Sequence, residues 1–223
     1  MKKIYILSWV LCLFVITSCV TPQYVNNITS HQSLKQIQKK STTVVGLDRV
    51  FIQSYEKTFH KNFQNKLEFS HRLADDMAHQ LGATGVFSEA IVDFSSDWNH
   101  INTMTSKKSY LKIQSLFDEC KTDYLICIDD FQLKQRLTVT NNNLGDPNNM
   151  SVNNMSVNNN STSSEFIRLE AKIKIFDVAT HEPVLEFDVF SEDQIMFFSY
   201  SKSLQDVREK LVDETVAFLK KQR

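Results

Sequence analysis

Three groups of residues have types and spacings that chemistry uses. His71, Asp75 and His79 recur every four residues. On a helix that spacing lines up two imidazoles and a carboxylate, a set that a metal ion accepts. Asp129 and Asp130 are adjacent carboxylates closing an apolar run, a residue type that general acid–base catalysis draws on. Four cysteines, Cys12, Cys19, Cys120 and Cys127, offer thiolate chemistry. The first two groups have plainer explanations. With His71 at 0° and about 100° per residue, His71, Asp75 and His79 share an arc with Glu68, Arg72 and Asp76, while Phe69, Leu73, Ala74, Met77 and Leu81 fill the opposite arc. The histidines then lie on a solvated face, with no fourth ligand or supporting shell in view. Neighbouring strand residues point to opposite faces, so Asp129 and Asp130 diverge and suit a turn or a sheet edge. Cys127 sits four residues into a strand, about 13 Å along it, whereas bridged Cα atoms lie within about 7 Å. Cys120 and Cys127 are therefore expected as free, mostly buried thiols. With four glycines and no serine elbow, the chain offers neither a phosphate loop nor a nucleophile turn. No catalytic, metal-binding or cofactor-binding residue is assigned, and the expectation is a protein that is not an enzyme.

Cys19 is different, because its whole setting agrees with one chemistry. Lys2 and Lys3 precede an apolar run from Ile4 to Ile16. That run is short for a spanning helix, which needs about 20 apolar residues, and has the proportions of a cleaved signal segment. It closes on Ile16, Thr17, Ser18 and Cys19: a branched apolar residue, two small residues that let a peptidase approach the backbone, and a thiol able to carry a diacylglycerol. This resembles the lipobox of bacterial lipoproteins. The resemblance implies cleavage before Cys19, acylation of its sulfur, and attachment of the chain to a membrane by lipid. Val20 follows where the enteric sorting rule would place an aspartate for inner-membrane retention. The implied location is the outer membrane, facing the periplasm.

Removal of residues 1–18 takes away Lys2 and Lys3 and no acid, which leaves a net charge of −3. A weak, mixed charge excludes an electrostatic nucleic-acid binder, which shows a basic stripe. Residues 19–41 are polar and read as the lipidated cysteine and a flexible tether. Residues 42–223 read as one domain. Strands are expected at 42–54, 85–94, 123–140, 165–180 and 183–198, and helices at about 60–81, 106–121 and 201–221. The run from Tyr124 is apolar throughout and suits a central strand covered on both faces. Ile167, Leu169, Ala171, Ile173 and Ile175 alternate, so one face of their strand is buried. The order β-α-β-α-β-β-β-α predicts an α+β sandwich: a mixed sheet of about five strands with helices packed on it. Residues 141–164 are asparagine-rich, carry Asn-Asn-Met-Ser-Val twice in tandem at 148–152 and 153–157, and are expected to be a disordered loop.

The segments TTVVGL, GVFSEA, DYLICIDDFQL and KIKIFDVATHEPVLEFDV, with the Asp177–Thr180 phrase inside the last, resemble a group of small envelope lipoprotein domains. The group includes curli-secretion lipoproteins, Pel-type polysaccharide-export lipoproteins and the amino-terminal domain of the Tol-system propeller protein. The resemblance implies a non-enzymatic scaffold or assembly factor for an envelope or export complex, with an envelope partner or a homo-oligomer. Curli-type members also carry long apolar hairpins that form a pore, and no spare hairpin of that kind is evident here. A second function class is a periplasmic module that holds an apolar or lipidic ligand between sheet and helices. Phe197 and Phe198 belong either to the core or to a hydrophobic docking surface.

Overall fold

A computed structural model describes residues 24–30, 37–47, 49–92, 117–141 and 161–222. Its centre is a mixed sheet of seven strands: β1 (Val25–Ser30), β2 (Ser41–Gly46), β3 (Val50–Ile52), β4 (Glu89–Val92), β5 (Tyr124–Asn141), β6 (Ser161–Asp177) and β7 (Pro183–Gln194). The helices are α1 (Glu56–Asn62), α2 (Lys66–Ala83) and α3 (Tyr200–Lys221), and residues 117–119 are also helical. The sheet runs β1-β7-β6-β5-β2-β4, with β3 pairing β5 beyond β2. Pairs from β1 through β7 and β6 to β5 are antiparallel. β2 and β3 lie parallel to β5, and β4 parallel to β2. Parallel neighbours need a crossover, and between β2 and β4 it carries α1 and α2.

The alternation along β6 behaves as read. Ile167, Leu169, Ala171, Ile173 and Ile175 are all buried beneath the helices. β5 is covered on both faces at its start. Ile126 and Ile128 join the helix-side core, while Leu125 and Cys127 pack with Val45, Leu47, Phe117 and Phe176 on the other face. α3 buries Leu204, Val207, Leu211, Thr215, Val216 and Leu219, the spacing of one stripe. Phe59, Phe63, Phe69 and Phe131 form a ring cluster with centroids 5.0 to 5.4 Å apart, the tilted and edge-on geometry that aromatic quadrupoles favour.

α2 begins at Asn65, whose side chain accepts from the Glu68 N–H at 2.8 Å. It ends in a Schellman motif: Gly85 at φ +61°, with its N–H to the Gly82 carbonyl and the Val86 N–H to the Leu81 carbonyl. β2 and α2 touch at Gly46, where an added Cβ would lie 2.2 Å from the Ser70 carbonyl oxygen. The Ser70 hydroxyl donates to the Leu47 carbonyl at 2.7 Å beside it.

Several expectations need correction. The tether is shorter than 19–41, because residues 25–30 form edge strand β1 and Ile37 is buried. Val25 is the only buried residue of β1, so the strand lacks an alternation to announce it; pairing with β7 makes it. The strand expected at 42–54 is two, β2 and β3, and the helix at 60–81 is two, broken at Phe63, which adopts extended dihedrals. The strand at 85–94 is shorter, because 85–88 complete the turn after α2. Asp129 and Asp130 lie at neither a turn nor a sheet edge. β5 continues to Asn141, and the pair marks a bulge against β6. The hairpin of β5 and β6 is paired from Tyr124–Asp177 out to Asn141–Ser161, a longer arm than the sequence suggested. Asn141 and residues 161–164 of the expected loop lie in those strands; 142–160 fall outside the described residues, as does most of the helix expected at 106–121.

Candidate docking surface

Cys19 and the preceding Ile16, Thr17 and Ser18 lie outside the described residues. Tyr24, the first described residue, leads into β1 at the edge of the sheet. β1 runs antiparallel to β7, and the Phe190 N–H donates to the Tyr24 carbonyl at 2.9 Å. Among the described residues no strand pairs the other side of β1, and Asn26 through Ser30 are exposed, with Ile28 among them. A one-sided strand presents backbone donors and acceptors to solvent. Asn27, at φ +49°, sits where the register with β7 shifts.

β7 leads into a turn that the sequence reading missed. Residues 183–198 were expected to be one strand, since aromatic residues favour strands. Instead the strand ends at Gln194, Ile195 makes one further bond to the Glu165 carbonyl, and the chain reverses over Met196, Phe197, Phe198 and Ser199. Phe197 and Phe198 both have positive φ, +50° and +60°, and the Ser199 N–H donates to the Met196 carbonyl at 3.0 Å. Two consecutive left-handed residues are the pattern of a type I′ turn, which favours Asn and Gly. Here both positions hold phenylalanine, with 93% and 86% of the residue exposed. Met196 is exposed as well. A polar framework stands behind the turn. Tyr55, itself left-handed at φ +65°, donates its hydroxyl to Glu165 at 2.7 Å, and its ring lies 5.7 Å from that of Tyr200. Burial and the Glu165 carboxylate hold the Tyr55 phenol well above its usual value.

The sheet face away from the helices carries charge. Arg136 holds Glu192 with Nε at 2.9 and 3.0 Å from its two oxygens, and stacks over Phe166. Arg168 bridges Glu192 and Glu170 at 2.8 and 2.7 Å and lies 3.8 Å from the Phe190 ring centroid. Lys134 adds a second bond to Glu170 at 2.8 Å. Burial pushes the Glu170 carboxyl up, but Lys134 and Arg168 outweigh it and hold the group below its usual value. A polar depression on this face of about 260 Å³ is lined by Asn27, Gln132, Arg168, Lys172 and Asp188. Its charges are largely paired with one another, as cross-strand neighbours on a solvated sheet face pair.

The remaining candidates separate. His79 and Asp75 line a shallow surface depression between α2 and α3, where Asp76 meets Arg208 at 3.2 Å. No group of three His, Cys, Asp or Glu among the described residues comes together as a metal site. Asp129 accepts both Nε and Nη2 of Arg49, at 2.9 and 2.8 Å. Asp130, at φ +53°, is the bulged residue, and its N–H donates to Asp129. Cys120 and Cys127 are free, Cys127 fully buried and its thiol pushed up by burial. Asp177 ends β6 and caps the tight turn into β7 by accepting the Thr180 N–H at 3.0 Å. No helix among the described residues is long and apolar enough to cross a membrane.

No protein-family model and no curated protein sequence matches the chain. Among solved structures it is similar to the PelC dodecamer from Paraburkholderia phytofirmans, as a single-substitution variant and without that substitution. The identities are 12% and 10% and the TM-scores 0.43 and 0.39, over 89% and 85% of this chain and 98% and 94% of that one. It is also similar to lipoprotein GNA1162 from Neisseria meningitidis, at 10% identity and a TM-score of 0.34, over 78% of this chain and 98% of that one.

Proposed function

We propose that this chain is a lipid-anchored, non-enzymatic envelope lipoprotein that serves as a scaffold or assembly factor for an envelope or export complex. The anchor rests on Ile16 to Cys19 and the charged, short apolar segment before them. The assembly role rests chiefly on β1: an edge strand with five of its six residues exposed, one side paired and the other open among the described residues. Such an edge accepts a strand from a second copy or from a partner by main-chain hydrogen bonds. Val20 after the cysteine supports an outer-membrane, periplasm-facing location. The apolar-ligand reading asks for space between sheet and helices. There Phe59, Phe69, Phe131, Phe187, Leu73 and Met77 fill the interior at 1% exposure or less.

Two measurements test the reading. Intact mass of the membrane-extracted protein should show cleavage before residue 19 plus an acyl increment, and Cys19→Ser should abolish both. A photo-crosslinking amino acid at Ile28, on the exposed edge, should trap a discrete larger species in intact cells. Monomer alone at that position and at Asn26 would sink the scaffold role.

A further inference from the structure

We propose that the Phe197–Phe198 turn inserts into the boundary between headgroups and acyl chains of a lipid bilayer, as a second membrane contact beside the lipid on Cys19. The inference rests on the anchor reading above and goes beyond it by fixing how the domain stands on the membrane. Its first support is the turn itself. Two bulky residues occupy consecutive left-handed positions that favour Asn and Gly, and at 93% and 86% exposure they return almost no packing. Strain held at fully exposed aromatic rings points to an occupant outside the domain. The second support is where the chain comes from. Because β1 is antiparallel to β7 and the Tyr24 carbonyl accepts from the Phe190 N–H, Tyr24 enters β1 from the end of the sheet that β7 reaches at Gln194. Five residue steps join Tyr24 to Cys19, a reach of at most about 18 Å. Five steps along β7 from Phe190 reach Ile195, and the phenylalanines follow two and three residues later. The anchored cysteine and the exposed rings can therefore meet one surface at one corner of the sheet, since β1 and β7 are neighbours.

The rest of that corner is compatible with a bilayer. Beside the turn, β6 and β5 run on past Phe166, the partner of Gln194, to Ser161 and Asn141, and this extension presents Leu137, Thr138, Ser163 and Ser164, a mixture of apolar and hydroxyl side chains that a headgroup layer accepts. Charges near the turn are paired: Lys202 with Asp206, and Lys210 with Asp193. Contact through rings rather than net charge makes the association insensitive to salt and to anionic lipid.

The test uses the mature lipoprotein purified from cells and reconstituted in phosphatidylethanolamine–phosphatidylglycerol vesicles. Trp98→Phe leaves the mature chain without tryptophan, so Phe198→Trp, and separately Phe197→Trp, supply one probe each. Phe51→Trp, exposed on β3, which β5 and β6 separate from β7, is the control. The expected result is loss of most of the emission at 198 and 197 when the acyl chains carry bromine, with shielding from acrylamide; the probe at 51 should show the reverse. Emission at both turn positions that acrylamide quenches and bromine does not, in a sample whose mass shows an acylated Cys19, overturns the insertion and leaves the anchor standing. Shielding from acrylamide without bromine quenching overturns it in favour of a protein occupant, a second copy or a partner. A mature chain with no acyl mass overturns the anchor and the insertion together.

Discussion

Arg49 grips Asp129 through both carboxylate oxygens, at 2.9 and 2.8 Å, where β2 gives way to β3 and β5 bulges. The two irregularities face each other. The Leu47 N–H bonds the Ile128 carbonyl and the Phe131 N–H bonds the Arg49 carbonyl, so the ladder resumes after the interruption. Asp129→Ala leaves the guanidinium to water and removes the acceptor for the Asp130 N–H. We expect a loss of about 1–3 kcal/mol, and a melting temperature lower by about 2–4 °C for each kcal/mol. Arg49→Met should cost a similar amount. In a double-mutant cycle the two changes should couple; additive losses would show that the pair does not bridge the break.

Glu170 sits between Lys134 and Arg168, and its carboxyl is held below its ordinary value of 4.5. A depressed carboxylate contributes stability that is present above the unfolded value and is lost as pH falls through the folded one. Glu170→Gln should therefore lower stability at pH 7 by about 0.5–1 kcal/mol, the screened scale of a partly exposed pair. In denaturant titrations the difference should shrink as pH falls below 4.5 and be gone once the pH lies below the folded value. A gap that stays constant as the pH is lowered from 7 through the acid range would assign the effect to packing.

The register of β5 and β6 makes a third prediction. Asn141 pairs with Ser161, so the ends of the asparagine-rich connection lie one strand apart. Replacing 142–160 by Asn-Gly should leave the circular dichroism spectrum unchanged and raise stability by about 1–2 kcal/mol through the shorter closure. A fall in melting temperature would show that the connection contributes to the core.

What the sequence disclosed follows from how local each cause is. β6 and α3 announce themselves because burial on one face imposes a period of two or of 3.6 on side chains that are adjacent in sequence. The doubly buried start of β5 reads as a continuous apolar run for the same reason. β1 does not, since only Val25 is buried, and its place depends on β7, far along the chain. The turn at Phe197 and Phe198 was hidden because phenylalanine carries no left-handed signal, and the bulge at Asp130 because an aspartate inside a strand-length run, though it tolerates that conformation, does not announce it. The exposure of the two phenylalanines depends on where the chain turns, which no neighbouring residue signals.

That turn supplies a fourth prediction. If Phe197 and Phe198 hold their left-handed dihedrals against preference, Phe197→Asn with Phe198→Gly should stabilise the isolated domain fold by about 1–2 kcal/mol. Differential scanning calorimetry in detergent-free buffer should show the rise. A lower melting temperature would mean that the rings pack on the domain in solution, contrary to their exposure.

The sheet closes late in the life of the chain. Asn27 of β1 bonds Asp188 of β7 across 161 residues, and Ser41 at the start of β2 bonds Asp123 across 82. Contacts so distant in sequence form slowly, because the entropy of bringing their ends together precedes any reward. A ribosome that has delivered β2 has not yet made the strand that β2 lies against, and β1 waits for almost the whole polypeptide. On the exported-lipoprotein reading proposed above, that delay would let the chain cross a membrane before its own topology allows it to fold.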